Sequence, residues 1–295
     1  ESLALISKMK DSGMDPGSVG YGSALDAFVS GNQHRKGLEY FDSWLNEDNA
    51  DFDILCCIAA MKCCVADNNW VKALSLLEMA KKNGMIVPVQ MNLEALKVLR
   101  SAGKWDEHFE LGQKCGWTNK KIALEVLLGC GLSNCHDHFM GIMENIENNC
   151  HKNSKNHRNL FHDLNFQFSA IECLSKCSDD KTGNSIDQIF MKIVEKKILP
   201  DPMSKIPIVN YTNLGEGTSV ALTRYILKRM ERKSFSFANV KNLVLIFGQR
   251  NSEARESVLK EFASHSLELK PNKINGVKQT YFISKDQLEK WKQNL

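Results

Sequence analysis

The chain has 295 residues, of which 43% are apolar and 25% charged, and its formal net charge is +3. That length suits one large domain or two ordinary ones, and the apolar share excludes a disordered chain. The longest apolar run, Ile54 to Met61, is closed off by Asp53 and Lys62. It is far shorter than the roughly 17–25 residues a helix needs to cross a bilayer, so no membrane span is expected.

A segment recurs along the first half. Leu3, Leu38, Leu74 and Phe109 occupy its second position, at spacings of 35, 36 and 35 residues. A fixed period of this length predicts stacked helical pairs, none able to bury its apolar face alone. The first helices are expected at Val19–Ser30, Asp53–Ala66 and Gln90–Ser101, and the second at Arg35–Asn46, Val71–Asn83 and Trp105–Gly116. Asn32, Asn68 and Gly103 break the pattern six residues before each anchor. Gly13 and Gly84 sit where a left-handed C-terminal cap is expected, with Pro16 and Pro88 soon after. Because Glu1 falls in mid-repeat, the chain is expected to be a processed or partial product.

The period then loosens. Ile122–Leu132 and His138–Ile146 read as a shortened pair, and Asn145 to Asn159, rich in Asn, Lys and His, as an exposed loop. A last pair is expected at Arg158–Cys177 and Ser185–Lys197, closed by Lys196-Lys197-Ile198-Leu199-Pro200-Asp201. From Pro202 the grammar changes. A strand over Ile206–Tyr211 precedes an amphipathic helix, Thr218–Arg232, and a second, fully apolar strand, Leu243–Phe247. A helix over Glu253–Ser264 follows. Strands at Leu267–Lys270 and Gln279–Ile283 flank the turn Asn275-Gly276, and a helix spans Asp286–Gln293. The fold class predicted is therefore an α-helical solenoid of helix-turn-helix repeats followed by a small α/β domain, divided as 1–117, 118–201 and 202–295.

The small net charge hides an asymmetry. Residues 1–117 carry 12 Lys/Arg and 16 Asp/Glu, residues 118–201 carry 10 and 11, and residues 202–295 carry 16 and 8. A polyanion contact is thus expected from the last third. The ten cysteines include no Cys-x-x-Cys. Cys56, Cys57, Cys63 and Cys64 lie in an apolar helix and read as small core residues in a reducing compartment. Cys135-His136-Asp137-His138 fits no closed zinc site, so no metal or cofactor is predicted. Trp44, Trp70, Trp105 and Trp117 lie on or beside second helices, where packing is expected rather than base stacking.

Met9 to Pro16, Ala73 to Pro88 and Ile193 to Asp201 resemble the closing half of a pentatricopeptide repeat, whose pattern runs roughly M-K-E-K-G-I-K-P-D. The last ~90 residues resemble an Smr (small MutS-related) domain. The match there is carried by Phe247-Gly248-Gln249-Arg250, the helix after it, and Lys270 to Gly276. The resemblance implies an RNA-binding protein of an organelle, mitochondrion or plastid. It also implies two departures. Where the Smr family ends its first strand in Leu-Asp-x-His, this chain reads Val209-Asn210-Tyr211-Thr212, and its Gly-x-Gly loop reads Gly248-Gln249-Arg250. A neutral amide and a hydroxyl supply neither general base nor imidazole, so no catalytic residue and no RNA cleavage are expected. The base-reading positions of the repeats align with Gly22, Cys57 and Leu93, with Phe52 and Pro88 at junctions. None offers a polar group to a base; a register shift of one would bring Asp53 to a junction.

Two functions are expected of such a chain. In one, RNA phosphates meet a basic face of Arg224, Lys228, Arg229, Arg232 and Lys233, with Arg250 and Lys273. In the other, the solenoid groove holds a protein partner as a scaffold or accessory subunit.

Overall fold

The computed structural model describes residues 2–46, 53–149, 160–206, 208–232, 235–237, 242–248, 251–272 and 278–295. Phe52, Lys233, Gln249, Arg250, Lys273 and the turn Asn275-Gly276 lie outside these. The fold class is the one expected: α-helical repeats followed by a small α/β part. Compactness groups the residues into two units, 1–129 and 130–295, whereas the division 1–117, 118–201 and 202–295 follows sequence grammar.

The first unit contains α1 (Ser2–Asp11), α2 (Gly17–Ser30), α3 (His34–Leu45), α4 (Ile54–Asp67), α5 (Trp70–Lys82), α6 (Val89–Ser101) and α7 (Trp105–Cys115), and the unit boundary falls inside α8 (Lys120–Leu132). The first helices α2, α4 and α6 pack one on the next. The second helices bridge them: α3 touches α2 and α4, and α5 touches α4 and α6. The turns follow from backbone chemistry. Asn32, Asn68 and Gly103 have φ of +54°, +52° and +67°, and Gly13 and Gly84 have +71° and +70°, a region that Gly and Asn enter at low cost. Asp53 caps α4 by accepting from the Cys56 amide at 2.9 Å, and Asn69 caps α5 through the Lys72 amide at 3.1 Å, satisfying donors that the helix leaves orphaned. Leu25, Phe41, Met61, Leu76, Met91 and Leu96 fill the core, and Tyr21 stacks on Trp44 at 4.5 Å. Burying each such side chain contributes about 1.5–3 kcal/mol.

The four cysteines of α4 are buried among these residues. Burial pushes the thiols of Cys57 and Cys64 up to about 12, so they act as unreactive core residues. Trp44 is in the core. Trp70 and Trp105 are half-buried, with the Lys104 ammonium 4.7 Å from the Trp70 ring centre.

The second unit continues with α9 (His136–Asn149), a 3-10 turn at Leu160–His162, α10 (Leu164–Leu174) and α11 (Thr182–Glu195). The loop expected from Asn145 is helical as far as Asn149, because Ile146 is buried and Glu147 bonds to Lys192 and Lys196. Then follow β1 (Ile208–Asn210), α12 (Glu216–Met230), β2 (Asn242–Gly248), α13 (Ser252–Ser264), β3 (Lys270–Asn272), β4 (Lys278–Ser284) and α14 (Lys285–Gln293). The sheet order is β1-β2-β4-β3. β1 runs parallel to β2, and the other two pairings are antiparallel. Leu243, Leu245 and Phe247 alternate inward along β2, as a period of two requires.

α12 departs from the reading of one apolar and one solvated face. It packs on α13 and also on α10 and α11, and ten of its fifteen residues are buried. Its N-terminus is held by Glu172 of α10. That carboxylate accepts from the Gly217 amide (3.1 Å), the Thr218 amide (2.8 Å) and the Thr218 hydroxyl (2.5 Å). A side chain at Gly215 would run into the Glu172 carboxylate, and one at Gly217 into Ser175.

Candidate nucleic-acid interface

The layer of first helices presents one row of outward positions per repeat. Counting back from the turn residues Asn32, Asn68 and Gly103, the thirteenth residue is Val19, Leu55 and Gln90 in turn, and all three are exposed. The sixth residue back is Asp26, Lys62 and Lys97. Helical periodicity puts positions seven residues apart on the same face. Neighbouring rows touch, since the Lys62 ammonium bonds to the Asp26 carboxylate at 2.8 Å. On α6 the same strip carries Gln90, Glu94 and Lys97, joined by hydrogen bonds through Glu94.

The base-reading positions aligned from the sequence are not in that row. Cys57 is fully buried and Leu93 is buried. Gly22 is half-buried, and a side chain there would reach the Cys56 sulfur. They stand ten, eleven and ten residues before the turns, so Cys57 is also one residue out of step. Of the junction residues, Pro88 precedes α6 in extended backbone, and Asp53 is the α4 cap. The exposed row, Val19, Leu55 and Gln90, lies two or three residues nearer the helix starts. The turn residues, at spacings of 36 and 35, carry the signal that finds it.

The basic residues of α12 are largely committed to partners within the second unit. Arg224 donates to Glu261 at 3.0 Å and lies 3.8 Å from Asp187, and Lys228 reaches the same Asp187 at 2.9 Å. Arg229 is 3.5 Å from Asp201. The Glu261 hydrogen bond raises the Arg224 guanidinium further above its ordinary value. Arg232 is exposed and makes no ion pair among the described residues. The structure thus gathers Arg224 and Lys228 around one carboxylate, with Arg229 on a neighbouring one. Lys233, Arg250 and Lys273 lie outside the described residues.

The two motif positions likened to a nuclease do come together. A side chain on Gly248 would lie 3.0 Å from the Thr212 carbonyl oxygen. The Asn210 side-chain oxygen accepts from the Thr212 amide at 3.0 Å and the Thr212 hydroxyl at 2.5 Å, a local turn that uses up both groups. A second arrangement resembles a nucleophile–base pair: His136 Nε2 lies 2.8 Å from the Ser185 hydroxyl, and Nδ1 lies 3.2 Å from Asp137. Both Ser185 and His136 are buried, and Ser185 lines neither of the two described cavities, so the contact packs α9 on α11. Among the described residues no group of three His, Cys, Asp or Glu could hold a metal ion.

Among solved structures the chain is similar to the pentatricopeptide repeat protein PPR10 from maize, with a TM-score of 0.50 and 13% identity over 89% of this chain and 31% of that one. The fold is a pentatricopeptide-like helical repeat. Two structures of PPR10 in complex with an 18-nt psaJ RNA element, one of them a cysteine-to-serine variant, align at TM-scores of 0.41. Identity is 14% over 91% of this chain and 47% of those. The chain therefore spans less than half of the length of the proteins it matches. No protein-family model matches it, and no curated protein does.

Proposed function

We propose that this chain is a non-catalytic RNA-binding helical-repeat protein of a mitochondrion or plastid, acting in RNA metabolism or in a ribonucleoprotein particle. The observation that carries the reading is the regular outward row on α2, α4 and α6, one position per repeat, on a fold shared with a protein whose solved complexes hold RNA. Single-stranded RNA lies along such a row by its backbone and stacked bases, and it is not read base by base where Val19 and Leu55 stand. Phosphate contact in the second unit falls to Arg232 and the exposed ammonium of Lys228, with Lys233, Arg250 and Lys273 as further candidates. The Smr-like part does not cut RNA, because Asn210 and Thr212 stand where a carboxylate and an imidazole are needed.

Fluorescence anisotropy with a labelled single-stranded RNA tests the reading. Binding is expected to weaken steeply between about 50 and 200 mM salt, as counterion release dictates. The RNA is expected to stay intact with and without divalent metal. Salt-independent binding, or turnover of the RNA, overturns it. A second reading, a scaffold for a protein partner, is favoured by the exposed apolar pair Val19 and Leu55, 73% and 60% exposed. It predicts a protein complex that survives the high-salt condition.

A further inference from the structure

β1 is one edge of the sheet and β3 is the other, and the two edges differ. β3 carries Lys270 and Pro271, a charge and a ring without an N–H, and both deter a further strand. β1 carries neither within Ile208–Asn210, and Pro207 just ahead of it limits pairing to that short stretch. The Tyr211 amide donates to the Ile246 carbonyl at 2.8 Å, so Tyr211 and Val209 turn their main-chain groups towards β2. Successive residues of an extended strand alternate, so the N–H and C=O groups of Ile208 and Asn210 point away from the sheet. Among the described residues these groups have no hydrogen-bond partner. Both residues are exposed, Ile208 to 50%.

A cavity of about 370 Å³ is lined by Ile208, Val209 and Asn210 together with Phe168 of α10, Phe190 of α11 and Leu222 of α12. Its size falls within the roughly 300–1,000 Å³ of ligand sites. Phe190 and Leu222 are buried and Phe168 is half-buried. The Tyr211 hydroxyl lies 2.9 Å from that of Thr223, so the face of β1 that holds Val209 and Tyr211 is the one α12 covers. None of the lining residues is charged. Asp201, between the lining residues Pro200 and Pro202, already accepts from the Met203 amide and the Tyr225 hydroxyl. A nucleic-acid strand would find no cation among these residues to meet its phosphates.

We propose that β1 accepts an extended segment of a partner polypeptide as an added strand. The segment's main chain bonds to the outward N–H and C=O groups of Ile208 and Asn210. Its aliphatic side chains on the α12 side enter the cavity against Phe168, Phe190 and Leu222. Orphaned main-chain donors and acceptors in strand spacing select an extended peptide over a small apolar molecule, and the uncharged lining selects aliphatic over charged side chains. The inference stands on the second unit alone and does not depend on the RNA reading.

The full chain, isotope-labelled at backbone amides and at Ile and Leu methyls, is titrated with a blocked pentapeptide of alternating Thr and Val. Two further versions carry N-methyl groups, one on the Val residues and the other on the Thr residues. A short uridine oligonucleotide is the fourth probe. The peptide is expected to shift the Ile208 and Asn210 amides and the Leu222 methyls, and to slow hydrogen exchange at those two amides. Only one set of N–H groups can face β1, so one methylated version is expected to bind about tenfold more weakly than the other. Asn210→Pro removes an outward donor and leaves the β2 side of the strand intact, and it is expected to weaken the peptide about tenfold as well. Equal binding of the two methylated versions, full binding to Asn210→Pro, tighter binding of the oligonucleotide at these residues, or no shift there each overturns the proposal. If Asn210→Pro does not fold, the two methylated peptides on the unaltered chain decide.

Discussion

Lys197 holds a left-handed backbone, φ +58°, at the position that Gly13 and Gly84 fill in the earlier repeats. The hydrogen bonds are the same in kind. The Ile198 amide reaches back to the Ile193 carbonyl at 3.0 Å, as Met14 does to Met9 at 2.9 Å and Met85 to Ala80 at 3.0 Å. A side chain in this region costs roughly 1–2 kcal/mol, and Gly gives back about half of that in lost chain entropy. Lys197→Gly is therefore expected to stabilise the chain by about 0.5–1 kcal/mol, read as a higher urea midpoint with an unchanged slope. His108 is a second native-state cost, and one that depends on pH. It is fully buried, and neither ring nitrogen has a hydrogen-bond partner. Burial, with the Arg100 charge nearby, lowers its pKa to about 4. The unfolded chain takes up this proton near pH 6.5 and the folded chain does not, so stability is full above about pH 6.5 and falls as pH drops towards 4. The loss amounts to about 3 kcal/mol. His108→Leu should flatten that stretch of the stability–pH curve; an unchanged slope in the variant would show that other groups cause it.

Helices meet closely where small residues allow it. A side chain on Gly112 of α7 would lie 2.6 Å from a Val126 methyl of α8, and one on Gly131 of α8 would strike the Cys173 carbonyl oxygen. A side chain can turn aside and a backbone carbonyl cannot, so Gly131→Ala is the worse of the two. It is expected to cost about 3 kcal/mol by thermal melting, while Gly112→Ala costs less. Much at this scale was readable beforehand. The repeat period located both helix layers, and Gly13, Gly84, Asn32, Asn68 and Gly103 marked the turns because their backbone freedom is a local property. The position of α12 was not readable. Its sequence shows one apolar stripe and a basic one, but Asp187, Asp201 and Glu261 neutralise the basic stripe from positions 28 to 41 residues away. The exposed row on the first helices escaped for a smaller reason. Gly22 and Leu93 stand three residues nearer the turn than Val19 and Gln90, and Cys57 two nearer than Leu55; each residue turns a helix by about 100°, enough to exchange outside for inside.

At the scale of the molecule, the place where the sequence changes character is not the place where compactness changes. Pro202 begins the strand-bearing grammar, yet α10 and α11 pack on α12. A fragment of residues 202–295 would uncover Tyr225, whose ring lies 5.8 Å from that of Phe190 of α11, and it would lose Asp187 and Glu172. A fragment of residues 118–295 keeps them, along with the whole of α8. The longer fragment is expected to melt cooperatively and the shorter to show a broad, shallow transition by circular dichroism. Two equally sharp transitions would show that the strand-bearing part folds alone. The charge pattern belongs to this scale too. The +8 of residues 202–295 meets the −2 of residues 130–201 within one unit, so part of the cationic excess that attracts RNA on paper is spent inside the protein.

Glu172 closes the start of α12 in the manner of a bound anion. Helix starts of this kind hold phosphates in many proteins, through free amides and the positive end of the dipole. Here the oxyanion is covalently part of the chain, so any solution phosphate must displace a tethered rival whose local concentration exceeds its own. The seat becomes vacant only when position 172 carries no acceptor. An alanine there would turn an internal brace into a socket whose occupancy follows the phosphate content of the buffer.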